Sequence, residues 1–374
     1  MDYFQDLTLA EDFLRKKADI NCIPIAGTFE LTPLCNMDCR MCYVRMSKNE
    51  MEAMGRLRTA DEWIALGKSA VEQGMMFLLL TGGEPFLYPD FIKVYEALRN
   101  MGLVIMINSN GTLLTNDILE MLATNKPRRI NISLYGSNDK IYCDLCRNPH
   151  GFTQVMNCVE RLRSRDIDVR FNMALTPWNK DDFPNMLAVA DRYMIPTSIA
   201  NYIFPANRRN LTCKEAALHR FPPELAGRYG VEVAKLYNSK EELLETARHK
   251  LEKANNVSTL DSPQRKGFWC RGGTSSFWIT WDWRLLPCGM VQHPAVPVNA
   301  DQFQENWVQL RTEMQKIVLS PECYNCPKKA VCQTCAAAMI TETGTYDQRP
   351  EYHCYMTDAM LDAYANLLKE TKNE

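Results

Sequence analysis

The sequence predicts an α/β fold in which parallel strands alternate with helices, followed by a smaller cysteine-rich region. Short apolar runs suited to strands recur along the first two-thirds of the chain, with amphipathic segments between them, and cysteine and aromatic residues crowd the last third. Strand–helix alternation favours parallel strands joined by right-handed crossovers. Six such units build an open or partial (β/α)6 barrel, and a doubly wound sheet is the competing arrangement.

Length and composition are those of an ordinary globular protein. At about 150 residues per domain, 374 residues predict two to three domains. Apolar residues make up 46% of the chain and charged residues 24%, which excludes a disordered or fibrous protein. A net charge of −2 argues against a nucleic-acid partner. Neither an apolar run long enough to span a bilayer nor a signal peptide is present, so we expect a cytoplasmic protein without a membrane partner.

The expected strands and helices follow from hydrophobic periodicity. Thr59 and Glu62 form a capping box before a helix that Gly74 would end. Two further helices are marked by apolar faces, one with Phe152, Val155, Met156, Val159 and Leu162, the other with Phe183, Met186, Leu187, Ala190 and Met194. The six strands are predicted at 27–31, 76–80, 104–108, 130–134, 169–175 and 198–203.

Composition divides the chain into four expected segments. They are an N-terminal extension over 1–24, the partial barrel over 25–204, a polar helical bridging segment over 205–265, and a cysteine-rich region over 266–374. The bridging segment contains the run KEELLETARHKLEKANN. The last segment contains FWCRGGTSSFWITWDW, which predicts a hairpin, and it closes with a helix over 357–368. A small domain built around metal, not hydrocarbon, fits that composition.

Fifteen cysteines are unusual for a chain without an export signal, and in a reducing compartment they favour metal ligation. The segment TPLCNMDCRMCY places Cys35, Cys39 and Cys42 in a C-x3-C-x2-C spacing directly after the first strand. Three thiolates satisfy three irons of a cubane cluster and leave the fourth iron open for a ligand. The alternative is a zinc knuckle that lacks its fourth ligand.

Polar turns follow the next three strands. LLLTGGEP carries Gly82, Gly83 and Glu84, and the later turns read NSNGT and NISLYG. Glycine allows a backbone to approach a ligand closely, and the Glu84 carboxylate could accept an ammonium group. Because the carboxyl ends of parallel strands form the active face of such folds, the ordered series of turns predicts a binding site there.

With these motifs the chain resembles the radical S-adenosylmethionine (SAM) superfamily over about residues 25 to 205. The resemblance lies in the C-x3-C-x2-C loop, the aromatic Tyr43 after its last cysteine, and TGGEP. It implies a partial TIM barrel in which Cys35, Cys39 and Cys42 bind a [4Fe–4S] cluster and SAM is cleaved reductively to a 5′-deoxyadenosyl radical. The protein orients these cofactors and excludes water.

The resemblance also implies the residues that contact SAM. Gly82, Gly83 and Glu84 would meet the methionine amino group, and Tyr43 belongs to the same cofactor site. Ser133, Arg147 and, more weakly, Asn172 align with positions that contact the SAM carboxylate or ribose. For these last three residues the alternatives are a capping hydroxyl, a surface salt bridge and a strand-end turn.

The C-terminal cysteines resemble the SPASM extension, which carries two auxiliary [4Fe–4S] clusters. The central spacing here is C-x2-C-x5-C-x2-C, where the family usually ends in x3, and Trp283 stands where a glycine is usual. The resemblance assigns an outer cluster to Cys323, Cys326, Cys332 and Cys354 and an inner one to Cys270, Cys288 and Cys335. Cys213 is a candidate fourth ligand of the inner cluster. Structural zinc, with His353 as an eighth ligand, is the alternative.

The remaining cysteines and the tryptophans have plainer interpretations. Core packing is the expectation for Cys22, Cys143, Cys146, Cys158 and Cys213. It is also preferred over a substrate channel for Trp269, Trp278, Trp281 and Trp283. His293 and His353 are expected at the surface.

SPASM-bearing enzymes commonly modify ribosomal peptides or proteins, which makes peptide maturation our leading hypothesis. The expected products are a thioether, a carbon–carbon cross-link or a related oxidation, with a ribosomal precursor peptide as substrate and a flavodoxin or ferredoxin-type electron donor. The 34 residues before Cys35 leave no room for the winged-helix leader-binding domain of many maturases. Sulfatase maturases usually carry Asp after the second SPASM cysteine, where this chain has Gly289. A small-molecule dehydrogenase or decarboxylase stays open. An electron carrier is a further alternative, but it would leave TGGEP and the open iron unexplained. A zinc-stabilised scaffold is the third, and it would purify colourless.

Overall fold

The computed structural model describes residues 9–205, 218–255 and 267–371. All six predicted strands are present, each within a few residues of its expected bounds, and helices separate them in chain order. The strands β1 to β6 are Ala26–Glu30, Phe77–Thr81, Val104–Ser109, Arg129–Ser133, Val169–Ala174 and Thr197–Ala200.

The strand order identifies the architecture. Strands β1 to β6 lie side by side in chain order, and each pair is parallel. A doubly wound sheet reverses direction at a switch point, whereas a sequential order is that of a barrel wall. The expected α/β fold with a partial barrel is therefore confirmed.

The cysteine-rich region adds three strands to the same sheet: β7 (Ser276–Ile279), β8 (Arg284–Leu286) and β9 (Val296–Pro297). Strand β7 joins β1 in parallel, and β7, β8 and β9 then pair antiparallel. The predicted hairpin is thus present, but it extends the barrel wall beyond β1. The four-segment division of the chain stays a prediction.

Fourteen α-helices lie within the described ranges. Helices α1 to α8 are Leu9–Asn21, Lys48–Met54, Ala60–Glu72, Phe91–Asn100, Asn116–Thr124, Asp139–Cys146, Gly151–Arg163 and Phe183–Tyr193. Helices α9 to α14 are Pro223–Tyr237, Lys240–Asn255, Phe303–Gln315, Pro321–Tyr324, Ala336–Thr343 and Glu351–Glu370. None of these helices is both long and apolar enough to cross a membrane.

The predicted capping box and the predicted end of the helix are both present at α3. The Thr59 hydroxyl accepts a hydrogen bond from the Glu62 N–H, and the Glu62 carboxylate accepts one from the Thr59 N–H. The helix ends at Glu72, and Gly74 follows with φ +103°. A left-handed glycine just after a helix satisfies the last carbonyls without steric cost.

The predicted apolar faces are buried or half-buried, with one exception. Val155 and Leu162 of α7 and Met186 of α8 have almost no exposed surface. Met194, however, is 81% exposed, so its assignment to the α8 face was wrong. Helix α8 ends at Tyr193, and Met194 adopts a left-handed conformation, which turns its side chain away from the buried face.

The C-terminal helix is longer than predicted and changes the environment of one histidine. Helix α14 begins at Glu351 instead of 357. Its first turn buries His353, which is 2% exposed, so the expected surface position was wrong. Burial lowers the pKa of His353 to about 4. His293 is exposed as expected.

The cysteines outside the two groups divide as follows. Cys146 and Cys158 are buried, as predicted. Cys22 is half-buried, and Cys143 is exposed, so its assignment to the core was wrong. It lies on the outward side of the short helix α6, whereas Cys146 faces inward. Cys213 lies outside the described residues.

Candidate active site

The three-cysteine loop leaves β1 at the carboxyl end of the sheet and is anchored there by the TGGEP turn. The Gly83 N–H donates to the Thr32 oxygen at 2.7 Å, and the Glu84 N–H donates to the Leu34 oxygen at 2.8 Å. A Cβ at Gly82 would lie 2.5 Å from the Thr32 oxygen, and one at Gly83 would collide with the Leu34 carbonyl. The two glycines therefore allow the turn to approach the segment that leads into Cys35.

Glu84 connects this turn to the next one. Its carboxylate accepts hydrogen bonds from the Asn110 N–H at 2.7 Å, the Ser109 hydroxyl at 2.9 Å and the Phe86 N–H at 3.1 Å. It has no exposed surface, and burial raises the pKa of Glu84 to about 7. Because the Glu84 carboxylate is buried, an ammonium group of SAM cannot reach it in this structure. The contact between Glu84 and SAM therefore stays a prediction.

Asn110 is a site residue that the sequence did not single out beyond a turn. Its side-chain amide donates to the Cys35 sulfur at 3.5 Å and to the Asn36 oxygen at 2.9 Å, and Asn36 in turn donates to Thr112 at 2.8 Å. The NSNGT turn thus holds the start of the cysteine loop. Its position after the third strand was the available signal, but Asn-Gly pairs are common in turns of any kind.

The three loop thiols share one environment. The Cys35 sulfur accepts from the Met37 N–H at 3.4 Å, and the Cys42 sulfur accepts from the Arg45 N–H at 3.3 Å. Burial, with smaller contributions from Glu84, Cys39 and Cys42, raises the pKa of Cys35 to about 12. Without a cation the Cys35 thiol stays protonated at neutral pH, whereas a bound metal displaces the proton.

The cysteine loop also forms backbone hydrogen bonds with the C-terminal end of helix α6. The Asp38 N–H donates to the Cys146 oxygen at 3.1 Å, and the Arg40 N–H donates to the Leu145 oxygen at 3.0 Å. Arg147 forms an ion pair with Asp38, which also pairs with Arg45 at 3.0 Å. Arg147 therefore binds the cysteine loop in this structure, and a contact with SAM stays a prediction.

Two of the remaining residues predicted to contact SAM, Ser133 and Asn172, lie on neighbouring strands of the sheet. Ser133 ends β4 and is paired in register with Asn172 of β5, which is paired with Ser198 of β6. Both Ser133 and Asn172 are half-buried, as is Tyr43 in the cysteine loop. The structure thus places Ser133 and Asn172 side by side near the carboxyl end of the strands.

Several of the C-terminal thiols lie near one another. Burial raises the pKa of Cys323, and the nearby thiols of Cys354, Cys332 and Cys326 raise it further. Burial also raises the pKa of Cys335, with a smaller contribution from Cys270. Cys288 and Cys335 both lie close enough to Tyr346 to raise its pKa. The first four thiols therefore lie near one another, whereas Cys335 lies near both Cys270 and Cys332. The division into an outer and an inner group stays a prediction.

The tryptophans pack mainly as core residues. Trp281 is buried with Met46 and Met51, and Trp283 contacts Trp63 at 6.1 Å between ring centroids. Trp278 is half-buried, and its indole N–H donates to the Glu30 carboxylate at 3.0 Å. Glu30 is the last residue of β1 and is 1% exposed. No local pattern predicts this pair, because the contact depends on β7 joining β1.

The loop fits an iron–sulfur group by the chemistry of its donors. Thiols are the protein ligands of such clusters, and N–H groups that face the sulfurs stabilise thiolate. Within the described ranges, no three His, Cys, Asp or Glu side chains lie close enough to hold a single metal ion. The fit therefore depends on the donor set and its position at the sheet edge.

Comparison with known proteins agrees with this site. Residues 29–190 match the family model of the Radical SAM superfamily. The AdoMet-dependent heme synthase of Methanosarcina barkeri is 25% identical over 348 residues, which cover 87% of this chain and 95% of that protein. The antilisterial bacteriocin subtilosin biosynthesis protein AlbA of Bacillus subtilis is 27% identical over 165 residues, 44% of this chain and 36% of that protein.

A solved structure shows the same fold. Streptococcus suis SuiB, in the crystal structure bound to precursor peptide SuiA, superimposes with a TM-score of 0.67 at 17% identity. The match covers 91% of this chain and 78% of that chain. The family match, together with the cysteine loop and the TGGEP turn, assigns residues 29–190 to this superfamily. Residues 29–190 form a radical SAM domain, and the protein is a radical SAM enzyme.

Proposed function

We propose that this enzyme matures a ribosomally made peptide: it cleaves SAM reductively and abstracts a hydrogen atom from the peptide. The observation that carries the proposal is the placement of three thiols beside the TGGEP turn at the carboxyl ends of parallel strands. When bound, the cluster and SAM supply the one-electron chemistry. A thioether, a carbon–carbon cross-link or a related oxidation is the expected product.

In this proposal Cys35, Cys39 and Cys42 ligate the SAM-binding cluster. Gly82, Gly83, Glu84 and Tyr43 form the methionine end of the SAM site, with Ser133, Arg147 and Asn172 toward the carboxylate and ribose. Asn110 and the backbone N–H groups of Met37 and Arg45 hold the loop sulfurs. A flavodoxin or ferredoxin-type protein donates the electron.

The proximity of the C-terminal thiols to one another supports auxiliary [4Fe–4S] clusters, and we propose two. Cys323, Cys326, Cys332 and Cys354 would ligate the outer cluster, and Cys270, Cys288 and Cys335 the inner one. A peptide substrate is supported by the similarity to a bacteriocin biosynthesis protein. The four-segment division, with a SPASM region over 266–374, belongs to the same proposal.

The first test is SAM cleavage after anaerobic reconstitution with iron, sulfide and reductant. We expect 5′-deoxyadenosine from the wild type and none after replacement of Cys35, Cys39 or Cys42 by Ala. Cys143→Ala, an exposed thiol outside both groups, is the matched control. A fully iron-loaded wild type that cleaves no SAM would refute the proposed chemistry.

The second test separates the two thiol groups. Cys323→Ala and Cys326→Ala should leave measurable SAM cleavage while product formation or folding is impaired. Identical behaviour of both sets of variants would contradict the proposed division of roles. A short peptide encoded beside this gene is the substrate to test first, with the product read by mass spectrometry as a loss of hydrogen.

A small-molecule substrate is the second candidate, because similarity to a heme synthase extends along 87% of the chain. Titration with hemin, followed in the Soret band, tests whether the protein binds a tetrapyrrole. Saturable binding that competes with turnover would favour this candidate over a peptide.

Sulfatase-type maturation is less supported. A Cβ at Gly289 would lie 2.7 Å from the Trp278 ring, so the position after Cys288 has no room for the usual Asp side chain.

A further inference from the structure

The face of the sheet that lines the open barrel is polar over strands β3, β4 and β5. Along these strands half-buried residues alternate with fully buried ones. Buried residues such as Ile107, Ile132 and Phe171 belong to the main hydrophobic core. Because successive side chains of a strand point to opposite faces, the half-buried residues lie on the other face. Six of them are polar: Asn108, Arg129, Asn131, Ser133, Arg170 and Asn172.

This composition differs from that of an ordinary (β/α)8 barrel, whose interior is filled by layers of branched apolar side chains. Amide and guanidinium groups inside a barrel are costly unless water or a ligand satisfies their hydrogen bonds. The polar face over β3 to β5 is therefore suited to binding a polar ligand.

Three of these polar residues form one row across the sheet. Asn108 of β3 is paired in register with Asn131 of β4, and Asn131 is paired with Arg170 of β5. The Asn131 side-chain amide donates to the Asn108 oxygen at 2.7 Å, so these two side chains share one face.

The row lies next to the proposed SAM contacts. Ser133 follows Asn131 by two residues on β4, and Asn172 follows Arg170 by two residues on β5. Two residues of a strand span about 7 Å, so Ser133 and Asn172 lie on the same face, one row nearer the carboxyl ends. A substrate group bound by the row would therefore lie close to bound SAM.

The donors and acceptors of the row select the ligand. The Asn131 Oδ1 atom is buried and has no hydrogen-bond partner among the described residues, so it is an acceptor that a ligand N–H can satisfy. The Arg170 guanidinium carries a fork of donors that fits a carboxylate. An acidic residue of a peptide, or its C-terminal residue, has a backbone N–H close to a carboxylate. A tetrapyrrole propionate has no such N–H beside it.

We propose that Asn131 and Arg170 bind an acidic or C-terminal residue of the substrate peptide. The Asn131 oxygen accepts the backbone N–H of that residue, and the Arg170 guanidinium binds its carboxylate. Asn108 holds the Asn131 side chain through the 2.7 Å hydrogen bond. This inference rests on the proposed peptide maturation and names the feature of the peptide that the enzyme recognises.

The test uses the peptide encoded beside this gene, versions in which each Asp or Glu is replaced by its amide, and a version with an amidated C-terminus. The first set identifies an acidic side chain as the recognised group, and the last identifies the C-terminal carboxylate. Isothermal titration calorimetry without reductant gives the Kd of each peptide, and product formation gives kcat/KM.

Four enzyme variants are compared with the wild type. Arg170→Gln removes the cation, Arg170→Lys keeps it, and Asn131→Asp places a second carboxylate beside Arg170. Arg129→Gln removes a cation on the same face, one row farther from the carboxyl ends, and is the matched control.

We expect one of the peptide changes to weaken binding to the wild type about tenfold or more, because charge-assisted hydrogen bonds are lost. Arg170→Gln should bind the native peptide and that altered peptide almost equally. Arg129→Gln should discriminate between them as the wild type does, and Arg170→Lys should do so in part. Asn131→Asp should weaken binding of the native peptide more than binding of the altered one.

Two results with the peptides would overturn the proposal. One is a wild type that binds every version equally, and the other is wild-type discrimination in Arg170→Gln. If Arg170→Gln does not fold, wild-type discrimination in both Arg170→Lys and Asn131→Asp has the same meaning. Hemin and its dimethyl ester provide a further comparison. Binding of hemin that needs both Arg170 and free propionates, with no effect of Arg170→Gln on the peptide, would also overturn the proposal.

SAM cleavage and peptide binding separate this inference from the proposed function. If the iron-loaded wild type forms no 5′-deoxyadenosine, or neither binds nor modifies the peptide, the proposed peptide maturation fails. If the wild type modifies the peptide and Arg170→Gln discriminates as the wild type does, only the role of Arg170 and Asn131 fails.

Discussion

The backbone N–H of Asn110 donates a 2.7 Å hydrogen bond to the buried carboxylate of Glu84. Glu84 belongs to the TGGEP turn, and the Asn110 side chain reaches the Cys35 sulfur. Two turns from neighbouring strands are therefore joined at one carboxylate, and both are fixed to the cysteine loop. The geometry of the loop thus depends on residues that bind no metal.

Glu84 gives a pH dependence of stability with a definite sign. Burial raises its pKa from an ordinary 4.5 to about 7, so between these pH values the folded chain holds more protons than the unfolded chain. The free energy of unfolding should therefore fall by about 3 kcal/mol as pH rises from 4.5 through 7, relative to Glu84→Gln.

Urea denaturation of both proteins from pH 4.5 to 8 measures this difference. Glu72→Gln, at an exposed carboxylate of helix α3, is the control and should track the wild type. A constant difference between wild type and Glu84→Gln across this range would show that Glu84 does not titrate as described.

Gly83→Ala should displace the cysteine loop. The new Cβ would collide with the backbone oxygen of Leu34, which cannot rotate away. We expect a loss of about 1–3 kcal/mol of stability and reduced iron per chain after reconstitution. At Gly267 a Cβ would meet its nearest neighbour at 3.6 Å, so Gly267→Ala is the matched control. Wild-type iron loading in Gly83→Ala would contradict this account of the turn.

His353→Phe should stabilise the protein or leave it unchanged. The imidazole is 2% exposed, and neither ring nitrogen has a hydrogen-bond partner among the described residues. Removing two buried polar atoms without partners should gain up to about 1 kcal/mol in thermal unfolding at pH 7. His249→Phe, on the exposed face of α10, provides the comparison. A clear destabilisation at His353 would show that the ring does form a polar contact.

Arg220 and Glu342 form a buried ion pair between the chain after β6 and helix α13. Their side chains are 13% and 8% exposed, and the Glu342 carboxylate also accepts from the Tyr202 hydroxyl at 2.7 Å. Arg220→Met leaves the buried Glu342 carboxylate without its cationic partner and should cost about 3–5 kcal/mol.

The double variant Arg220→Met/Glu342→Leu should recover much of that loss in chemical denaturation. Lys235→Met, which breaks an exposed pair with Glu232, should cost at most about 1 kcal/mol. Additive losses in the double variant would mean that the two residues do not stabilise each other.

Local sequence patterns were sufficient to predict those helices and strands that are specified by their own residues. The capping box at Thr59, the six strands and the buried face of α7 follow from periodicities of a few residues. The prediction for Met194 was wrong because α8 ends one residue before it. The left-handed conformation of Met194 turns its side chain away from the buried face of the helix. The prediction of a surface position for His353 was wrong because distant parts of the chain determine where α14 begins and which residues pack against it.

The order of strands and helices, and the spacing of the cysteines, were determined by the sequence itself. Backbone geometry relates residues that are close along the chain, so these patterns need no other information. The tertiary structure alone decided that Glu84 meets Asn110, that the Cys146 oxygen meets the Asp38 N–H, and that β7 brings Trp278 to Glu30. Those contacts join residues far apart in sequence, and they form only where the packing of whole strands and helices brings their side chains together.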